Sequence, residues 1–267
     1  MDSKKERLDK LLVKKGLFES REKAKAEIMA GRIYINNQIV DKPGTLINEE
    51  CPIDIKEKSM PYVSRGGIKL EKALEDFDIK TYNKVALDAG ASTGGFTDCL
   101  LKNGVKKVYA IDVGYGQLDY RLRNDKRVVV MERKNVRYLK LEDIGEKVDI
   151  VTADLSFISL SKVFEVFSLI LKTDGDLIAL IKPQFEVGRS EVGKKGVVRD
   201  MYLHIKAINE VISSAQSFNL RLNGLTYSPI KGPKGNIEFL VWLKNNVQTR
   251  WIVNVSEIVE LAHRELM

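Results

Sequence analysis

The stretch LDAGASTGGFTDCLL, Leu87 to Leu101, decides the fold. Val85, Ala86 and Leu87 form an apolar lead-in, Asp88 follows, and Gly90, Gly94 and Gly95 precede an amphipathic run through Phe96, Cys99, Leu100 and Leu101. This is the pattern of a buried strand, a tight glycine turn and a helix start. Glycine accepts positive φ and lets a ligand approach the backbone closely. The free N–H groups of the turn and of the helix start would face that ligand.

A second strand, Val105 to Ile111, runs into Asp112, an acid 24 residues after Asp88. An acid about 20 residues beyond such a turn commonly accepts hydrogen bonds from ribose hydroxyls. A nucleoside-containing cofactor is the first expectation. The spacing departs from G-x-G-x-x-G: counted from Gly90, the middle position holds Ser92, and only the last is a glycine, Gly95. That argues against a plain NAD site and matches the looser form common in methyltransferases. An ordinary strand–helix turn of an α/β domain is the alternative.

Outward from this stretch, strand and helix patterns alternate from Lys84 to near residue 220. The strands are expected at Val85–Leu87, Val108–Asp112, Arg127–Met131, Val148–Ala153 and Asp176–Ile181. This predicts a Rossmann-like, doubly wound, mostly parallel sheet. Ligands of such sheets gather at the carboxyl ends of the strands. Asp88, Asp112, Asn135-Val136, Asp154 and Lys182 stand at those ends, with Asp154 and Lys182 facing one crevice. Gly188 to Arg199 reads as a mobile loop and Tyr202 to Phe218 as a helix. Leu222–Ser228 and Ile237–Leu243 then finish the sheet as an antiparallel hairpin, and a last helix spans Val255 to Glu265. Glu238 interrupts an apolar strand. It either faces an edge or partners a buried lysine, since buried charges need pairing.

At 267 residues and 44% hydrophobic content, the chain suits one large or two smaller domains with a packed core. The net charge of +7 fits a nucleic-acid partner without demanding one. Two cysteines, Cys51 and Cys99, exclude a disulfide framework and a zinc cluster. Two histidines, His204 and His263, speak against a histidine metal site or triad, and both are expected on helix surfaces. The N-terminus is charged and no apolar run approaches the roughly 18 residues of a membrane span. The expected setting is soluble, reducing and cytoplasmic.

Residues 1–58 read as a small α+β domain and 59–63 as a linker ahead of a second domain, 64–267. Lys4 to Lys15 is expected as a helix with Leu8, Leu11 and Leu12 on one face. Ser20 is a plausible N-cap for a second helix, Arg21 to Ala30. Arg32–Ile35 and Gln38–Val40 flank a hairpin turn at Asn36-Asn37, and Pro52–Ile55 is a further strand. From Met1 to Ile35 there are ten basic residues against six acidic ones, so over half of the net charge sits here. A solvated helix surface would suffice to explain that. The order helix, helix, hairpin resembles the αL (S4-like) RNA-binding domain. The resemblance implies that Arg7, Lys10, Arg21, Lys23, Lys25 and Arg32 lie along an RNA backbone, positioning it without reading bases.

The chain as a whole resembles the TlyA (haemolysin-A-like) family of ribosomal RNA 2'-O-methyltransferases. The resemblance is carried by Ser64-Arg65-Gly66-Gly67-Ile68-Lys69-Leu70, by the DAGASTGGFTD turn and by Ala153-Asp154-Leu155-Ser156-Phe157. Ile181-Lys182-Pro183-Gln184-Phe185-Glu186 and Gly235-Asn236-Ile237-Glu238 complete it. The catalytic half is similar to the FtsJ-like family, whose Lys-Asp-Lys-Glu set is matched by Lys69, Asp154, Lys182 and Glu238. The resemblance implies S-adenosylmethionine as cofactor and methyl transfer to a ribose 2'-OH of ribosomal RNA, at cytidine in one or both subunits. It implies a cofactor site lined by Asp88, Gly90, Thr93, Gly94, Phe96, Asp112, Val113, Asn135 and Val136, with Arg65 among the RNA contacts and no metal. Lys182 is the expected base, oriented by Asp154. Lys69 would stabilise the alkoxide, and Glu238 would hold the lysines. The partners implied are ribosomal RNA or ribosomal subunits, with no stable membrane association. Two other classes stay open: a membrane-lysing haemolysin, and a non-catalytic RNA-binding assembly factor.

Overall fold

The computed structural model describes residues 5–36, 38–55, 61–193, 195–246 and 253–266. The chain divides into two compact units, Met1–Gly67 and Ile68–Met267. Of the expected linker, Ser59 and Met60 lie outside the described residues, and Pro61 to Gly67 group with the first unit.

The first unit contains β1 (Lys5–Arg7), α1 (Leu8–Lys14), α2 (Arg21–Met29), β2 (Ile33–Ile35), β3 (Gln38–Ile39), β4 (Leu46–Asn48) and β5 (Ile53–Ile55). Leu8 and Leu12 of α1 pack on Ala24 and Ile28 of α2 and on Ile33 and Ile35 of β2, forming a small separate core. Ser20 caps α2 by accepting a hydrogen bond from the Lys23 N–H at 3.2 Å. The expected hairpin is present: β2 pairs antiparallel with β3, and on its other side with β5. Asn37 of its turn lies outside the described residues. The first helix is shorter than expected. Lys5–Arg7 is extended and pairs antiparallel with β4, a strand that three residues of weak pattern did not announce. Lys4 lies outside the described residues.

Helix α3 (Gly66–Asp76) is followed by β6 (Val85–Ala89), α4 (Gly95–Lys102), β7 (Lys107–Ile111), α5 (Tyr120–Arg123) and β8 (Val128–Met131). Next come α6 (Leu141–Ile144), β9 (Val148–Ala153), α7 (Phe164–Ile170), β10 (Leu171–Ile181) and α8 (Pro183–Glu186). The series ends with α9 (Met201–Gln216), β11 (Leu220–Tyr227), β12 (Phe239–Asn245) and α10 (Val255–Leu266). Seven strands form one sheet in the order β11-β12-β10-β9-β6-β7-β8. The pairs from β10 to β8 are parallel, whereas β12 is antiparallel to both β10 and β11. The α/β architecture is therefore a mostly parallel sheet closed by an antiparallel hairpin. Every residue of β6 is buried, as parallel strands covered on both faces require. Phe164 and Phe167 of α7 and Val211 and Ala215 of α9 share one apolar core with the strands.

Strand β10 begins five residues before the expected Asp176. Its pairing with β9 shifts between Leu171 and Asp176, and the polar run Lys172-Thr173-Asp174 hid the start. His204 corrects a second expectation. It is fully buried on α9, because α10 covers that face. Its Nδ1 lies 2.8 Å from Nε2 of His263, and its Nε2 lies 3.1 Å from the Val198 carbonyl. Burial, with His263 beside it, lowers the His204 pKa to about 4. The glycine-rich segment expected as a mobile loop is anchored by Asn236, which accepts from the Val198 N–H at 3.0 Å and donates to the Gly196 carbonyl at 2.9 Å. Lys194 within it lies outside the described residues.

Candidate functional site

Strands β9 and β10 are parallel neighbours, so the residues just past their carboxyl ends emerge side by side. Those residues are Asp154 and Lys182, and Lys182 Nζ lies 2.6 Å from Asp154 Oδ1. The same ammonium donates to Ser156 Oγ at 2.9 Å. A second ion pair joins Lys69, on the first turn of α3, to Glu238, the residue immediately before β12, at 2.5 Å. Lys69 and Lys182 are buried, and Glu238 is wholly inaccessible. The four residues therefore form two lysine–acid pairs. The pairs also influence each other. Burial pushes the Asp154 carboxyl up, but Lys182 first and then Lys69 attract its charge and hold it below the usual carboxylate range. Buried charges persist when paired in this way.

Glycine shapes both sides of this cluster. A Cβ on Gly232 would lie 2.0 Å from Glu238 Oε1, so a larger residue in the loop ahead of β12 would have to displace the carboxylate. Gly90 has φ +83°, and a Cβ there would lie 2.6 Å from the Asp154 carbonyl oxygen. The turn after β6 is thus pressed against the end of β9. Ser92, at the position where the dinucleotide motif has its middle glycine, is itself left-handed with φ 49°. Its N–H donates to Asp112 Oδ2 at 2.8 Å, and the Gly114 N–H donates to Oδ1 at 2.6 Å. Asp112 therefore ties together the loops after β6 and β7.

Between these loops and the ends of β6, β7 and β9 lies a cavity of about 600 Å³. Its walls include Gly90, Asp112, Val113, Asn135, Val136 and Asp154. The volume falls in the range of small-molecule sites, roughly 300–1,000 Å³. A carboxylate at Asp112, an amide at Asn135 and apolar surface at Val113 and Val136 suit a nucleoside, whose hydroxyls and flat base need those partners. Asp88, Thr93, Gly94 and Phe96 stand outside the lining. Asp88 is wholly buried beneath the turn, with Oδ2 accepting from Thr97 Oγ1 at 2.7 Å and Oδ1 from Thr152 Oγ1 at 3.0 Å. Burial raises its carboxyl pKa to about 6, against the pull of those two hydroxyls and helped by the charge of Asp154. Phe96 faces inward on α4, and Gly94, with φ +97°, makes room for the Leu122 side chain.

Ser156, Gln117, Lys134, Arg137 and Phe157 also line the cavity; Ser156 and Phe157 entered the sequence reading only as part of a motif and the other three not at all, and none was expected as a site residue. Ser156 carried a usable signal, since it lies two residues beyond a charged strand end. Phe157 is 90% exposed with φ 64° and touches Phe185, with ring centroids 5.1 Å apart.

In the first unit, most of the expected basic contacts have acidic neighbours. Arg7 and Arg21 both pair with Asp9, Lys23 pairs with Glu19, Arg32 with Glu27 at 2.6 Å, and Arg65 with Asp41 at 2.7 Å. Lys10 is exposed and Lys25 half-buried.

Comparison with known proteins follows the same division. The FtsJ-like methyltransferase family matches residues 62–245, and the S4 domain family matches residues 6–50. The chain is 49% identical to "Putative rRNA methyltransferase YqxC" of Bacillus subtilis, over 100% of this chain and 93% of that one. It is 43% identical to "16S/23S rRNA (cytidine-2'-O)-methyltransferase TlyA" of Mycobacterium tuberculosis, over 97% of each. Among solved structures, "Putative hemolysin from Streptococcus thermophilus" superimposes with a TM-score of 0.79 at 43% identity, over 98% of this chain and 97% of that one.

Proposed function

We propose that this chain, which belongs to the FtsJ-like methyltransferase family and carries an S4 domain ahead of it, methylates a ribose 2'-OH of ribosomal RNA with S-adenosylmethionine as cofactor, at a cytidine. The observation that carries the reading is the pair of buried lysine–acid contacts, Lys182–Asp154 and Lys69–Glu238, one of which shares Asp154 with the wall of the nucleoside-sized cavity. The relatives named as ribosomal RNA methyltransferases support the substrate class.

The chemistry follows from the groups present. A ribose hydroxyl is a poor nucleophile until its proton is taken or its oxyanion stabilised. Lys182, once its ammonium has released a proton to solvent, takes the hydroxyl proton as general base in its neutral amine form, held in orientation by Asp154 and Ser156. Lys69, fixed by Glu238, stabilises the developing negative oxygen. Asp112 and Asn135 would hold the ribose of the cofactor, and Val113 and Val136 would hold its adenine. The bound cofactor supplies a methyl group activated by a sulfonium. Asp154 is ionised and favours positive charge beside it. The basic residues of the S4 domain bring the RNA backbone to the enzyme.

The test is methyl transfer from tritiated S-adenosylmethionine to isolated small and large ribosomal subunits and to naked ribosomal RNA, followed by mapping of ribose methylation. Incorporation at a cytidine 2'-OH is expected. Transfer to a base, or none to any of the three, would overturn the reading. A relative from Brachyspira hyodysenteriae bears the name "Hemolysin A". Among the described residues no helix is long and apolar enough to cross a membrane.

A further inference from the structure

Asp9 is the least expected charge in the first unit. It lies in the opening turn of α1 on a surface rich in cations, yet it is wholly buried. Its Oδ1 receives Arg7 Nε at 3.0 Å and its Oδ2 receives Arg7 Nη2 at 3.2 Å, the two-pronged contact of a guanidinium on a carboxylate. The same Oδ2 receives Arg21 Nη2 at 2.7 Å from the start of α2. One carboxylate therefore gathers two arginines from two helix starts. Both arginine side chains stay close to half exposed, at 45% and 43%. Each guanidinium carries roughly five N–H donors, of which Asp9 takes two from Arg7 and one from Arg21. Gly44 sits against the outer side of Arg7, where a Cβ would lie 3.2 Å from Nη1.

We propose that Asp9 is a positioning residue that locks Arg7 and Arg21 into a preformed clamp for one phosphate of the RNA backbone. The proposal rests on the reading of RNA as substrate. Free arginine side chains lose rotamer freedom when they bind, and that loss weakens binding. Asp9 imposes the loss at folding, before RNA arrives. Its negative charge also opposes a phosphate, which gives the proposal a decisive sign. If Asp9 were only a nearby charge, neutralising it would tighten RNA binding. If it positions the arginines, neutralising it weakens binding.

The experiment uses the full chain and a labelled ribosomal RNA fragment, with Kd measured by anisotropy over a range of salt. Asp9→Asn is expected to weaken binding roughly tenfold and to flatten the salt dependence by about one phosphate contact. Melting curves set the working temperature well below unfolding of either chain. Should Asp9→Asn not fold, Arg7→Lys and Arg21→Lys keep the charge but lose the fork, and each is expected to weaken binding severalfold. Where Asp9→Asn folds, Arg21→Lys made in that background is expected to cost little more, because the clamp is already open. Unchanged or tighter binding by Asp9→Asn, or by both lysine variants where it does not fold, overturns the role of Asp9 and leaves the RNA reading intact. Failure of the unaltered chain to bind RNA overturns both.

Discussion

Lys69 and Glu238 stand 169 positions apart in the chain and meet at 2.5 Å in the interior. Neither is exposed enough for water to replace its partner. Glu238→Gln would leave a buried ammonium facing a neutral amide. Breaking a buried pair from one side costs about 3–5 kcal/mol. The expected outcome is a lower melting temperature together with loss of methyl transfer. The double change Lys69→Met with Glu238→Leu should recover most of the stability and none of the activity. Thermal unfolding and methylation assays on the two variants separate the effects, and activity in the double variant would remove Lys69 from the mechanism.

The Lys182 ammonium meets both a carboxylate, Asp154, and a hydroxyl, Ser156. Lys182→Ala is expected to lower kcat by about 10²- to 10⁴-fold, the usual contribution of a positioned base, while cofactor binding persists. Ser156→Ala should have a smaller effect that shows as an altered pH–rate profile. The acid limb of that profile does not come from Asp154, whose carboxyl is held below its ordinary range and stays ionised there. Full activity of Lys182→Ala would move the base to another group.

Asp112 spends both carboxylate oxygens on the N–H groups of Ser92 and Gly114. Its removal should act twice, by freeing the two loops and by removing an acceptor for ribose hydroxyls. Asp112→Ala is expected to weaken S-adenosylmethionine binding at least tenfold in calorimetry, with thermal stability lowered only modestly. Equal affinity in the variant would mean that the cofactor, if it binds, does so elsewhere.

The architecture was legible because strand and helix periods are local, and because the ends of parallel strands can be counted along the chain. Asp154 beside Lys182 follows from two adjacent strands ending in charges. The partnership of Lys69 with Glu238 was within reach because a charge in an apolar run needs a counter-charge, although the strand starts at Phe239 and leaves Glu238 just outside it rather than within it as expected. Other features depend on packing that no local pattern encodes. An acid at or near a strand end can line the cavity, as Asp112 does, or lie buried beneath the turn on the hydroxyls of Thr97 and Thr152, as Asp88 does. His204 follows a surface-helix pattern until α10 covers it. Strand β4 has three residues and little alternation, so its pairing with β1 became visible only in three dimensions.

The buried Asp88 makes a prediction with a definite sign. Its pKa is raised from the ordinary 3.8 to about 6 in the folded chain, chiefly by burial. The folded state therefore keeps a proton that the unfolded state has released. The stability contributed by this group is fully present below about pH 3.8 and is lost as the pH rises through about 6. Asn at this position keeps one acceptor oxygen and replaces the other with an NH2 group carrying two N–H donors, and threonine hydroxyls can accept as well as donate. Asp88→Asn should therefore fold, and its stability relative to the unaltered chain should rise between pH 4 and pH 7 by up to about 3 kcal/mol. His204 works in the opposite direction over an overlapping range. Its pKa is lowered to about 4, so its contribution is lost as the pH falls below about 6.5. That contribution is common to both chains and cancels in the difference. Denaturant unfolding of the two proteins at each pH gives the difference directly. Parallel curves would mean that Asp88 carries no raised pKa and that its two hydroxyl partners suffice to hold it ionised in the core.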